Sequence, residues 1–290
     1  TPQHSSAASD VYKRQTQDRP DFDFFLGALS ELCEAAHPLS VTVRLLDIAS
    51  DKRPRWLPAL EATDATLGRQ GVRLFGAEPV RGVVRDQIAA LARLAERRAL
   101  RLIVPYLTRL EELAYWRAGL LAPVVDRLPV GAMLETPAAV LDLRNWLRAS
   151  DFVAVGCNDL MQCLFAADRD QPVLRPYLDP YAPVLFRLLR QSAVQAGGEI
   201  GRVQLCGLLP QLPGVLPVLL GLGFRSFAVE PALIPYLART ARETDMTSAK
   251  ALAEEVCAAA STEVVLHLLD LASASGEAVT PFLVDDGAMR

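Results

Sequence analysis

The chain has 290 residues, 51% of them hydrophobic, 22% charged and 7% aromatic, with a formal net charge of −4 at pH 7. That composition excludes a disordered or fibrous chain. The lack of a basic block argues against nucleic-acid binding, and no run of about 18 uninterrupted apolar residues offers a membrane span. The length accommodates two small domains, or one α/β barrel of roughly 250 residues.

Cys33, Cys157, Cys163, Cys206 and Cys257 are odd in number and lack metal-knuckle spacing. Neither a disulfide framework nor a zinc site is expected, and a reducing cytoplasm fits best. The first twenty residues lack the apolar core of a signal peptide. Residues 5–15, Ser-Ser-Ala-Ala-Ser-Asp-Val-Tyr-Lys-Arg-Gln, resemble translated sequencing-adapter sequence, so residues 1–15 are expected to be non-native. Lysine is scarce: Lys13, Lys52 and Lys250 stand against 27 arginines, and Lys13 falls in that segment. In so arginine-rich a chain, Lys52 is a candidate for site chemistry.

Short apolar runs then recur in chain order. Val41 to Leu46 reads as a strand, and Val72 to Phe75 as a weaker one. Leu102 to Val104 ends at Pro105, Val130 to Leu134 at Glu135, and Phe152 to Val155 at Gly156. Val203 to Leu205 ends at Cys206-Gly207, and Ser226 to Val229 at Glu230-Pro231. Short runs without strict alternation are what strands buried on both faces look like. Between them lie helical patterns over residues 86–98, 137–147 and 183–196, and from Ile234 the chain reads as helical to about Ala272. Thr136-Pro137 supplies a cap residue followed by proline at the first helical position. Strand alternating with helix implies parallel βαβ units. No G-x-G-x-x-G follows any strand, so a dinucleotide site has no support. The expected fold is a (β/α)8 barrel over residues 16–272 that lacks its first strand, followed by a polar tail over 273–290.

Barrel enzymes keep their chemistry at the C-terminal ends of strands. Those ends carry Asp47 and Lys52, Glu135, Asn158 and Asp159, and Cys206. Glu135 and Asp159 follow consecutive strands, which lie about 4.8 Å apart when paired, so one divalent cation can bridge them. Hard oxygen ligands select Mg²⁺ or Mn²⁺. Arg44 and Arg169 can bind phosphate by bidentate pairing. An acid at a strand end is, taken alone, as commonly a helix cap as a ligand. Acid, acid, amide, arginine and lysine on one rim point to a metal-assisted phosphate site. Cys33, Cys157, Cys163 and Cys257 read as core or helix-face residues, and His4, His37 and His267 do not read as phosphohistidine sites.

These residues also carry a specific resemblance. Gly131-Ala132-Met133-Leu134-Glu135-Thr136-Pro137-Ala138-Ala139 resembles the metal-binding motif of phosphoenolpyruvate-utilising enzymes. Residues 151–162, with Gly156-Cys157-Asn158-Asp159-Leu160-Met161-Gln162 and then Asp168-Arg169, resemble the family's second motif. Cys206-Gly207 is similar to its active-site cysteine turn. Arg44-Leu45-Leu46-Asp47-Ile48 with Asp51-Lys52 resembles an arginine–aspartate–lysine strand, and Leu67-Gly68 with Arg73 the motif after it. Within the family the texture is most like the C-terminal barrel of enzyme I of the sugar phosphotransferase system, over roughly residues 20 to 270.

The resemblance implies that Glu135 and Asp159 hold Mg²⁺. It implies that Arg44, Arg169 and Asn158 bind phosphoenolpyruvate, and that Cys206 protonates the enolate to give pyruvate. Lys52 and Arg69 join the substrate-binding set. The phosphoryl group would pass to a histidine on an upstream domain and then to a small phosphocarrier protein, and the barrel would form a homodimer. Departures are Leu208 for an acidic residue after Cys206-Gly207, Gln70 for an arginine (with Arg69 adjacent), Leu45 for a threonine, and Ala49-Ser50 for a glycine pair. A second reading is a phosphoenolpyruvate synthase or a pyruvate phosphate dikinase, built on the same barrel. Leu208 and Gln70 motivate a third reading, a degenerate barrel that senses phosphoenolpyruvate without turnover.

Overall fold

A computed structural model describes residues 19–48, 54, 56, 57, 68 and 70–271. The adapter-like segment 1–15, the polar tail 273–290 and the candidates Lys52 and Arg69 lie outside the described residues. The chain divides into two compact units, Thr1–Val155 with Arg202–Gln204, and Gly156–Gly201 with Leu205–Arg290.

The first unit runs α1 (Phe22–Ala36), β1 (Val41–Arg44), a 3₁₀ turn (Gly71–Leu74), α2 (Val80–Leu94), β2 (Leu100–Leu107), α3 (Leu110–Ala118), β3 (Val130–Leu134), α4 (Pro137–Val140), α5 (Leu143–Ala149) and most of β4 (Val153–Gly156). The second holds α6 (Cys157–Phe165), a 3₁₀ turn (Pro172–Tyr177), α7 (Pro183–Ala196), β6 (Ser226–Ala228), and the helices α8 (Val215–Gly221), α9 (Ile234–Glu243), α10 (Met246–Ala258) and α11 (Thr262–Leu268). The division between units falls inside β4 and inside β5 (Val203–Cys206). Among the described residues, no helix is long and apolar enough to cross a membrane.

Six strands hydrogen-bond in sequence order, β1-β2-β3-β4-β5-β6. β1 to β4 are parallel neighbours: Val41 pairs with Leu100, Leu102 with Val130, and Ala132 with Val153. Every residue of β3 and β4 is buried, which is why these runs are continuously apolar rather than alternating. Close packing sets single residues. A Cβ on Gly131 would lie 2.5 Å from the Phe152 ring, and the Arg101 guanidinium lies 3.6 Å from the centroid of that ring. The first helix is amphipathic and capped. The Asp21 side chain accepts the Phe24 N–H at 3.0 Å, and α1 buries Phe25, Leu29 and Cys33 four residues apart. In the second unit, Leu216, Leu220 and Leu237 form a core flanked by Phe227, Val229 and Met246.

The structure differs from the sequence expectations at four places. Val72 to Phe75 is not a strand: Val72, Leu74 and Phe75 bury from a short 3₁₀ turn. Gly71 enters that turn at φ +51°, a conformation no extended strand uses. The described residues therefore hold six strands, one fewer than the barrel reading counted. β2 is eight residues long and passes through Pro105. Its register shifts between Val104 and Leu107, so the proline sits in a bulge where no ladder N–H is required. The helix expected over 86–98 begins at Val80 and ends at Leu94. The helix expected over 137–147 is two, since Leu141 caps α4 and Asp142 starts α5.

β1 is extended past its last residue by one side chain from α2. Gln87, 1% exposed, accepts the Leu46 N–H at 3.0 Å and donates to the Arg44 carbonyl at 3.2 Å. Replacing it by leucine leaves buried backbone groups without that partner. Gln87→Leu is expected to lower the unfolding free energy by about 1–3 kcal/mol, read from urea titrations. An unchanged midpoint would show that the strap is dispensable.

Candidate functional site

In the first unit, β1, β2 and β3 deliver their C-terminal residues to one cluster. Arg44, the last residue of β1, places Nη1 3.1 Å from Asp47 Oδ2 and 3.8 Å from Met133 Sδ, two residues before Glu135. Glu135 is only 2% exposed, and its Oε2 accepts the Tyr106 N–H at 2.9 Å. That N–H is available because the bulge in β2 turns Tyr106 to φ +54°, out of the ladder. After Glu135 the chain enters α4 at once. The Thr136 hydroxyl caps it by accepting the Ala139 N–H, and Pro137 occupies the first turn. The carboxylate is thus fixed between a strand end and a capped helix. Gly71 closes the cluster: a Cβ there would lie 2.6 Å from Tyr106 Cβ and 3.3 Å from Asp47 Oδ1. The Arg73 guanidinium lies 5.2 Å from the Tyr106 ring centroid and donates to the Gly68 carbonyl at 2.9 Å. Arg44, Asp47 and Glu135 are therefore brought together within this unit.

In the second unit, α6 begins directly after β4, so Asn158 and Asp159 occupy its first turn rather than a loop. Asn158 Oδ1 accepts the Leu208 N–H at 2.9 Å, which ties the turn after Cys206 to the start of the helix. Gly207 makes this possible: it sits at φ +100°, and a Cβ would lie 2.7 Å from Asn158 Oδ1. Asp159 Oδ1 lies 3.7 Å from Arg169 Nη1, with side chains 20% and 27% exposed. This ion pair is looser than a bidentate one. Asn158, Asp159, Arg169 and Cys206 thus belong to one locally built site. Of the remaining sequence candidates, Lys52 and Arg69 lie outside the described residues.

The cysteines divide by environment. Cys206 is partly exposed and Cys157 is buried. Burial pushes the Cys157 thiol up to about 12, against a lowering backbone hydrogen bond from Cys206. Burial also raises the Cys33 and Cys257 thiols. Of the two, Cys206 is the more accessible, whereas Cys157 packs in the interior. Leu208, 54% exposed, stands beside Cys206, and Gln70 is buried. Two contributors are not among the sequence candidates: the Tyr106 backbone, signalled only by Pro105 inside a strand, and Gln162, which stands in the second motif without a role assigned to it there.

Chemically, each unit offers a guanidinium and a carboxylate held at a strand end, and the second adds an amide and a thiol. The carboxylate oxygens are hard donors suited to a small divalent cation, whereas the described residues hold no group of three or more His, Cys, Asp or Glu placed to bind a metal.

Residues 11–246 match the family described as PEP-utilising enzyme, PEP-binding domain. The phosphoenolpyruvate-protein phosphotransferase of Streptomyces coelicolor is 33% identical over 256 residues, which cover 87% of this chain and 45% of that protein. That of Cupriavidus necator is 32% identical over 235 residues, 77% of this chain and 40% of the relative. A multiphosphoryl transfer protein of Escherichia coli is 27% identical over 260 residues, 86% of this chain and 31% of the relative. The chain therefore spans 31% to 45% of the length of these curated relatives.

The buried thiols make stability pH-dependent. An unfolded chain ionises Cys157 near the ordinary value of 9.0, while the folded chain keeps the proton until about 12. In that window the unfolded state binds fewer protons, so stability falls as pH rises, and the contribution is fully present below the unfolded value. Urea titrations at stepped pH are expected to show this decline, and Cys157→Ala is expected to flatten it. An identical slope in the variant would contradict the burial of this thiol.

Proposed function

Since the chain belongs to the family of PEP-utilising enzymes, through their PEP-binding domain, we propose that it is the phosphoenolpyruvate-binding catalytic barrel of a phosphoenolpyruvate-protein phosphotransferase. The observation that carries this reading is the first turn of α6, where Asn158 latches the Cys206 turn while Asp159 faces Arg169. A binding amide, a metal-ligating carboxylate, a phosphoryl-binding guanidinium and a proton-donating thiol are thereby organised by one helix start.

Phosphoryl transfer needs positioning and charge neutralisation more than covalent help. In this reading Arg44 and Arg169 bind the phosphoryl and carboxylate oxygens, with Lys52 and Arg69 completing the substrate set, and Asn158 contacts the phosphoryl group. Both arginines face a carboxylate, Asp47 and Asp159, so their guanidiniums are oriented in advance. Glu135 and Asp159 would hold Mg²⁺, or Mn²⁺, which supplies further neutralisation of phosphoryl charge when bound. Cys206 donates its thiol proton to the methylene carbon of the enolate: the S–H bond breaks, a C–H bond forms, and pyruvate leaves. A thiol with an ordinary pKa of about 8.5 can do so near neutral pH. The phosphoryl group goes to a histidine on an upstream domain of the longer protein and then to a small phosphocarrier protein. The barrel acts as a homodimer in the cytoplasm.

A second reading is favoured by two residues. Gln70 is neutral and buried where the family motif has an arginine, and Leu208 is apolar and exposed beside the thiol. Both fit a barrel that binds phosphoenolpyruvate as a signal without turning it over.

Calorimetry separates the parts of this proposal. Phosphoenolpyruvate is expected to bind in the presence of Mg²⁺, and Glu135→Ala and Asp159→Ala are each expected to weaken binding by at least about tenfold. Equal affinity in both variants would remove the metal assignment. In heavy water, Cys206→Ala is expected to slow deuterium incorporation into the methyl group of pyruvate by about 10²-fold or more. An unchanged exchange rate would remove the general acid, and binding without any exchange in the unaltered protein would favour the sensing reading.

A further inference from the structure

We infer that Gln162 is a positioning residue that sets Asp159 and Arg169 against each other, an assignment that rests on the phosphoenolpyruvate reading above. Gln162 lies three residues after Asp159 on α6, on the same helix face, and is 8% exposed. Its Nε2 donates to Asp159 Oδ1 at 2.8 Å, and its Oε1 accepts the Arg169 backbone N–H at 2.9 Å. The two ends of the amide cannot be exchanged, because a backbone N–H requires an acceptor and a carboxylate a donor.

Three further features converge on this residue. Ala166 adopts the left-handed conformation at φ +51° and ends the helix. The Gln162 carbonyl accepts the N–H groups of Ala166 and Ala167. The chain then turns so that Arg169, seven residues on, returns to the Gln162 side chain. Main chain and side chain of one residue thus hold both ends of the return loop. The consequence is electrostatic. Gln162 occupies the same Asp159 oxygen that Arg169 approaches at 3.7 Å, so the ion pair stays loose. Without that donor the guanidinium and carboxylate are drawn into a direct bidentate pair, in which each neutralises the other instead of facing a ligand.

The test uses Gln162→Met, close in length and volume but unable to make either side-chain bond, and Gln162→Glu, which keeps an acceptor for Arg169 but loses the donor to Asp159. Affinity for phosphoenolpyruvate with Mg²⁺ is measured by calorimetry, and the Arg169 amide resonance is followed in the ¹⁵N-labelled, ligand-free protein. Gln162→Met is expected to raise Kd by about tenfold or more, the loss of one hydrogen bond to a charged group, and to move the Arg169 amide proton upfield. Gln162→Glu is expected to raise Kd as well while leaving that amide in place. If the methionine variant does not fold, the glutamate variant carries the test. A folded variant with unchanged affinity would overturn the assignment, since a side chain that merely fills space is replaced without loss. Failure of the unaltered protein to bind phosphoenolpyruvate would instead overturn the parent reading, and this one with it.

Discussion

The requirement that every buried backbone donor find an acceptor shapes the ends of these strands. A parallel strand that stops leaves N–H groups beyond the ladder, buried after β1 and in β2 and exposed after β5, and this chain answers each with a side-chain carbonyl or carboxylate. Gln87 takes the N–H of Leu46 after β1, Glu135 that of Tyr106 in the bulge of β2, and Asn158 that of Leu208 after β5. Two of these three acceptors are candidate site residues. Among the described residues, the groups that finish the strand ends and the groups that are candidates for a ligand are therefore partly the same atoms.

The same economy governs charge. The two candidate arginines among the described residues each meet an acid close by in sequence or along one loop: Arg44 meets Asp47, and Arg169 meets Asp159. Partly exposed pairs of this kind add little to stability. Their effect is to orient a guanidinium before any ligand arrives, so that less side-chain freedom is lost on binding. The distances differ, 3.1 Å in one pair and 3.7 Å in the other. In the longer pair, the Asp159 oxygen also accepts from Gln162 Nε2.

Much of this architecture is legible in the sequence because buried parallel strands are written as short unbroken apolar runs. β1, β3, β4, β5 and β6 all stand where such runs stand. Val72 to Phe75 misleads because four residues with three apolar side chains satisfy a 3₁₀ turn as well as a strand, and the glycine before them decides. The candidate residues Arg44, Glu135, Asn158, Asp159, Arg169 and Cys206 can be singled out in the sequence because each stands at or just beyond a strand end or within a motif that follows one. Their assembly within each unit follows from the element order. Tyr106 and Gln162 are not legible, for one reason: their roles depend on which hydrogen-bond partner a folded backbone presents, and neither residue type announces it. Pro105 marks a break in the ladder without saying where the released N–H goes.

The turn after Cys206 has a last consequence, for how this surface can change. Residue 207 is closed to variation, because a side chain there would enter the space of Asn158 Oδ1. Its neighbour is the opposite: Leu208 gives Asn158 only its backbone N–H, while its side chain faces solvent. Any amino acid except proline carries that N–H. Position 208 is thus an interchangeable fitting on a rigid mount, where acidity, size or polarity beside the thiol can drift across a lineage, or be dialled by design, while the turn that aims the thiol stays where it is.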